Sequence, residues 1–194
     1  MEQNSQVRNI DILEAQIREC FGRVVYSHKA QEKCADILQC RHKWLKSTQI
    51  IFSALITTGI IVKLFGDNQF ALYASAILST ILLAINSYMK DYDLGEIMQK
   101  HANAATELWN IRESYLSLLV DIKSKAISID QIITKRDDLQ NKLLNIYYGS
   151  PRTYSKAYKE ASSALKLNEE LTFSDEEIDV FLPLELRKTS RKTI

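Results

Sequence analysis

The sequence predicts an all-α fold, a two-helix transmembrane hairpin continuous with a cytoplasmic helical bundle, and three observations predict it. Two charge-free apolar runs lie back to back between residues 47 and 89. Charged segments with helical periodicity flank them on both sides. No stretch alternates or turns in the way that paired strands do. The expected organisation is an N-terminal cytoplasmic amphipathic helix over 1–46 and a hairpin over 47–89, with spans of about 47–65 and 69–89. A helical bundle over 90–183 and a basic C-terminal tail over 184–194 complete it.

Ahead of the hairpin, Ile10, Leu13, Ile17, Phe21 and Val24 recur at three- and four-residue steps with charges between them. That spacing marks an amphipathic helix. It is expected to run toward the membrane with a break near Gly22 or beyond. Polar, charged residues from Met1 to Lys46 leave no room for a secretory signal at this end.

The first apolar run, Ser47 to Val62, reaches roughly 24 Å as a helix, and Leu64 and Phe65 extend it. Lys63 lies near its end, where a long side chain snorkels to the interface. The second run, Gln69 to Met89, reaches roughly 32 Å, enough for a hydrocarbon core of about 30 Å. A mean hydropathy of -0.17 conceals this concentration. The competing reading, a buried hairpin inside a soluble bundle, fits poorly with two adjacent runs that lack a polar face wide enough for water. The link Gly66-Asp67-Asn68 permits only an antiparallel turn, so both ends of the chain share one side. Arg41, Lys43, Lys46 and Lys90 flank the spans, whereas Lys63 in the hairpin loop is opposed by Asp67. The positive-inside rule then places both termini in the cytoplasm.

Beyond the second span, Ile97, His101, Ala104, Leu108, Ile111, Tyr115, Leu118, Ile122 and Ala126 keep steps of four and three. This is a heptad seam expected to continue out of the membrane helix, serving either to join protomers or to fold the bundle internally. A third amphipathic helix reads from about Asp130 through Ile132, Leu139, Leu143 and Ile146 to Gly149. Ser150-Pro151 has the form of an N-cap and first-turn proline for a fourth, with Tyr154, Ala157, Tyr158, Ala161, Ala164 and Leu165 on its face. Ser174-Asp175-Glu176-Glu177 is a capping box for a short helix stopped by Pro183.

Composition narrows the function. Twenty-five basic residues against 24 acidic ones give a net charge of +1, without the basic excess of a nucleic-acid binder. Five glycines and two prolines argue against Gly-rich phosphate loops. Three cysteines build no disulfide framework and suit a reducing compartment. His28, His42 and His101 stand apart, and Cys34 and Cys40 fall on different faces of a helix, so no metal site is expected. No nucleophile or cofactor motif appears. The expectation is a protein that is not an enzyme and needs no cofactor.

Polar residues within the spans are the first candidate site. Ser75, Ser79 and Asn86 form a stripe on the second span, as do Gln49, Ser53 and Thr57 on the first. Ala76, Thr80 and Ala84 add a ridge of small residues. Such residues either join helices in lipid or line a water-filled conduit, which two helices cannot enclose without further protomers. Ser53, Thr57, Ser75, Ser79 and Asn86 are the candidate pore or protomer-interface positions. A second cluster, Trp109, Arg112 and Glu113, is either a packed ion pair or a contact for a sensor partner or an anionic messenger. Arg187, Lys188, Arg191 and Lys192 in the tail either touch acidic headgroups or stay in solvent.

The whole pattern resembles the SLATT family of bacterial two-transmembrane effector proteins. The resemblance is carried by Arg23-Val24-Val25-Tyr26-Ser27-His28-Lys29 and by Trp44-Leu45-Lys46 leading into Ser53-Ala54-Leu55 and Thr57-Thr58-Gly59. It continues with Leu108-Trp109, Arg112-Glu113-Ser114-Tyr115, Ser117-Leu118-Leu119, Arg136-Asp137-Asp138-Leu139 and Pro151-Arg152-Thr153, and with the segment from Glu169 to Pro183. It implies a homo-oligomeric, membrane-perturbing or pore-forming effector of antiviral defence at the bacterial inner membrane. Its trigger would be a partner sensor, a nucleotide-second-messenger module or a reverse transcriptase, and the outcome cell death or growth arrest. The alternative is a membrane-anchored helical scaffold that recruits a cytoplasmic partner without a pore.

Overall fold

The computed structural model describes residues 2–66 and 69–188, with side chains from Ile10 onward. Six α-helices follow in order: α1 (Glu2–Phe65), α2 (Gln69–Asp91), α3 (Leu94–Lys123), α4 (Ile129–Gly149), α5 (Ser155–Lys166) and α6 (Asp175–Phe181). A short 3-10 turn, Leu184–Leu186, comes after them. Among the described residues there is no strand.

α1 is the spine. Its 64 residues span about 96 Å, and the expected break near Gly22 does not occur. The reason is a repeat more regular than its chemistry suggests. Ile17, Val24, Gln31, Leu38, Leu45, Phe52 and Gly59, at seven-residue steps, are all buried or half-buried. One seam therefore serves the whole rod.

α2 and α3 run back along that seam, and α4 and α5 close its lower half. The expected continuity of α2 into α3 is interrupted at Tyr92 and Asp93. Asp93 caps α3, its side chain accepting from the Glu96 amide at 2.9 Å. The seam still forms within α3, where His101, Ala104, Leu108, Ile111, Tyr115, Leu118 and Ile122 are buried and Ile97 is half-buried. Ala126 is exposed and lies beyond the helix end. The seam is thus filled from within one chain: Ile17, Cys20 and Val24 of α1 and Ile132 and Leu139 of α4 share its core. Complete burial of Leu108 is worth about 1.5–3 kcal/mol.

A polar layer crosses the middle of this core. Gln31 Oε1 accepts from His101 Nδ1, and Gln31 Nε2 donates to the Pro151 carbonyl at 3.1 Å. His28 Nδ1 pairs with the Ala105 carbonyl at 2.9 Å. Burial holds the His101 imidazole below its ordinary pKa.

The turn chemistry follows the sequence in part. Ser174 and Glu177 close the expected capping box, and Ser128 and Gln131 form a second one at the start of α4. Ser150-Pro151 does not open α5. The Ser150 hydroxyl donates back to Ile146 O at 2.6 Å, residues 151–154 are non-helical, and Tyr154 precedes the first turn. Glu169 takes a left-handed φ of 51°, a conformation that costs a residue with a β-carbon about 1–2 kcal/mol.

Candidate functional site

The two apolar helices are joined along one edge and bare elsewhere. Their most apolar windows are 0% and 6% buried. Ile50, Ile51, Leu55, Ile61, Phe70, Ile77 and Leu83 all face outward. A core hairpin of a soluble bundle would hide these side chains. A continuous apolar exterior two helices long instead matches a bilayer, the only solvent in which it is favourable. Trp44, Tyr88 and Tyr92 are exposed at the end nearest the bundle, with the two tyrosine rings stacked at 5.0 Å. Aromatic residues collect at that depth because their rings are amphipathic.

The edge where α1 meets α2 resolves part of the polar stripe. Gln49 Nε2 donates to Asn86 Oδ1 at 2.6 Å. Ser75 is 4% exposed and donates to Ala71 O at 2.8 Å, with Ile56 O of the opposite helix at 3.5 Å. Gly59 makes room for it: a β-carbon there would lie 2.1 Å from Ser75 Oγ. Ser75, Asn86 and Gln49 therefore hold the hairpin together.

Ser53, Thr57 and Ser79 stay exposed. At about 100° per residue, Gln49, Ser53 and Thr57 span about 80° of α1, and Ser75, Asn86 and Ser79 about 40° of α2. Because the helices are antiparallel, both arcs turn to the same side of the hairpin. The result is a polar shoulder beside the helix contact. Thr57 is locally satisfied through Ser53 O at 2.9 Å. Ala76, Thr80 and Ala84 are also exposed, and Thr80 donates to Ala76 O at 3.1 Å. Asp67 and Asn68 of the turn lie outside the described residues.

The second candidate cluster borders a cleft between α1 and α3. Trp109 and Arg112 line it together with His28, Lys29, Lys33 and Glu170. Trp109 is 50% exposed. Glu113 lies beside Arg112 Nε at 3.6 Å and outside the cleft lining. Lys29 is almost buried and pairs with Glu32 at 2.9 Å and Glu170 at 2.7 Å. Burial by itself lowers the Lys29 ammonium, but the hydrogen bonds from these two carboxylates outweigh it and hold its pKa above the usual lysine value. The Lys29 hydrogen bond draws Glu170 below the usual carboxylate range. Sequence reasoning missed Lys29 and Glu170, since 141 positions separate them and each reads as a surface charge.

Arg187 Nε donates to Leu182 O at 2.8 Å and Lys188 Nζ pairs with Asp175 at 2.8 Å, so both fold back on α6. Arg191 and Lys192 lie outside the described residues. Two of the cysteines, Cys20 and Cys34, are buried and Cys40 is exposed.

A family model described as SMODS and SLOG-associating 2TM effector domain family 4 matches residues 13–177. No curated protein and no solved structure matches the chain.

Proposed function

The chain belongs to the SMODS and SLOG-associating 2TM effector domain family, and from that premise we propose that it is the membrane output of a bacterial antiviral defence system. In this reading the protein sits in the inner membrane with both termini in the cytoplasm, as the flanking Arg41, Lys43, Lys46 and Lys90 favour. A partner sensor, a nucleotide-second-messenger module or a reverse transcriptase, triggers it. Hairpins then assemble and open the membrane, arresting or killing the cell. The output is physical and requires no catalysis.

The observation that carries this reading is the polar shoulder on an otherwise apolar hairpin. Ser53, Thr57 and Ser79 are exposed on one side of a body whose own helix contact is already complete. One hairpin gains nothing from them. In a ring of hairpins they meet other protomers or face water, with Ala76, Thr80 and Ala84 allowing close approach. The test is to express the chain with its trigger in a bacterium and follow membrane potential. Collapse of the potential supports the reading; an intact potential at confirmed expression and triggering refutes it.

One observation favours the alternative scaffold. Among the described residues the seam of α3 is filled from within the chain, which leaves that seam nothing to offer another protomer. Replacing residues 47–89 by an unrelated two-helix anchor separates the two: a scaffold keeps its activity and a membrane-opening effector loses it.

A further inference from the structure

The cleft between α1 and α3 has a volume of about 740 Å³ and opens to solvent outside the membrane. Lys29 and Lys33 reach into it from α1, and Trp109 and Arg112 from α3. The carboxylate of Glu170 fills the space between the two lysines, 2.7 Å from Lys29 Nζ and 3.6 Å from Lys33 Nζ. It is delivered by the loop after α5, immediately beyond the left-handed Glu169. Arg112 Nε is buried and makes no hydrogen bond, Glu113 lying too far away at 3.6 Å.

We propose that this cleft binds a free phosphate-bearing ligand, and that Glu170 holds the place of one phosphate group in the unliganded chain. Two ammonium groups converging on one carboxylate suit a phosphate oxygen equally well. Glu170, with Glu32 also beside Lys29, satisfies the lysines and leaves Arg112 Nε without a hydrogen-bond acceptor. A ligand with two linked phosphates supplies the second acceptor, and Trp109 offers an exposed ring face to any base attached to it. The acidic wall, Glu32 and Asp36, balances the cations when Glu170 is present. Ligand binding is therefore an exchange of one anion for another, and it releases the loop that leads to α6.

A lipid headgroup is the other source of phosphate. Lys33 precedes the first span at Ser47 by 14 residues, about 21 Å along α1. That distance favours a soluble ligand. The site deepens the reading of the bundle as the receiving end of a signal. Its failure would leave membrane opening untested and unaffected, because binding is read without any leakage assay.

The test uses the full chain carrying Trp44→Phe, in detergent micelles, so that Trp109 is the only indole. Pyrophosphate and adenosine diphosphate are titrated while Trp109 emission is followed. A saturable change is expected, with Glu170→Gln tightening binding about tenfold, the factor for a site that Glu170 occupies about nine-tenths of the time. Lys33→Ala, at a more exposed position than Lys29, should weaken binding about tenfold, with helical content unchanged by circular dichroism. No saturable change in either the parent or Glu170→Gln overturns the proposal. So does equal affinity in the parent, Glu170→Gln and Lys33→Ala. In nanodiscs the same reporter should ignore phosphatidylglycerol; a response to that lipid with none to pyrophosphate overturns the soluble-ligand assignment.

Discussion

Gln49 and Asn86, 37 positions apart, share a 2.6 Å amide–amide hydrogen bond at the end of the hairpin nearest the bundle. In lipid no water replaces a lost partner. Asn86→Leu should therefore insert but loosen the hairpin by about 1 kcal/mol, within the range of interhelical bonds in membranes. Gln49→Leu should cost a similar amount, and the double variant less than the sum. A double-mutant cycle on chemical unfolding in detergent checks this; additive losses would show that the bond carries no coupling.

Gly59 is required by Ser75. A side chain larger than hydrogen meets Ser75 Oγ and then the Ala71 carbonyl, 3.2 Å from a β-carbon. Rotation of the serine hydroxyl can relieve the first contact but not the second. Gly59→Ala should destabilise the hairpin by about 1–3 kcal/mol, and adding Ser75→Ala, which removes the nearer contact but not the Ala71 carbonyl, should recover only part of the loss. Thermal melts of the detergent-solubilised variants read the difference.

In the core of the helical bundle Tyr115 and Leu108 should answer oppositely. The Tyr115 hydroxyl is buried beside the Cys20 thiol without a well-formed hydrogen bond, and burial, with that thiol, pushes its pKa up to about 12. Removing an unsatisfied hydroxyl releases its desolvation cost, so Tyr115→Phe should be neutral or stabilise by about 1 kcal/mol. Leu108→Ala leaves a cavity and should cost about 2–5 kcal/mol. Urea unfolding measures both.

The histidine at the centre of the polar layer sets a pH dependence. His101 titrates below its ordinary 6.5 when folded, because burial disfavours its charged form. Below about pH 6.5 the unfolded chain therefore binds the extra proton first, and stability falls as the pH drops toward the folded value. His101→Gln should flatten this part of the stability profile below about pH 6.5. An unchanged slope would contradict the assignment.

The all-α class and the two spans were legible because charge-free runs of that length have few other uses. The same holds for the α3 seam and the capping box at Ser174, which are local patterns. The unbroken spine was harder to read. Its seven-residue repeat passes through Gln31 and Gly59, so a hydrophobicity rule loses it even though the spacing is exact to the residue. The α2–α3 break was masked because apolar periodicity survives a change of phase at Tyr92. Ser150-Pro151 misled for a different reason: a serine can cap the next helix or close the previous one, and only the Ile146 carbonyl decides. The division of the polar stripe into Ser75 and Asn86 at the contact and Ser53, Thr57 and Ser79 outside it depends on how the helices are rotated. Lys29 and Glu170 meet only through the tertiary fold.

The most direct test of the central claim is dye release from liposomes containing the purified full chain, compared with Ser53→Leu/Thr57→Val/Ser79→Leu. These changes make the exposed shoulder apolar and leave Gln49, Ser75 and Asn86 untouched. The account predicts release by the triggered parent protein and at least about a tenfold loss in the triple variant, with equal insertion. Equal release from both would contradict it.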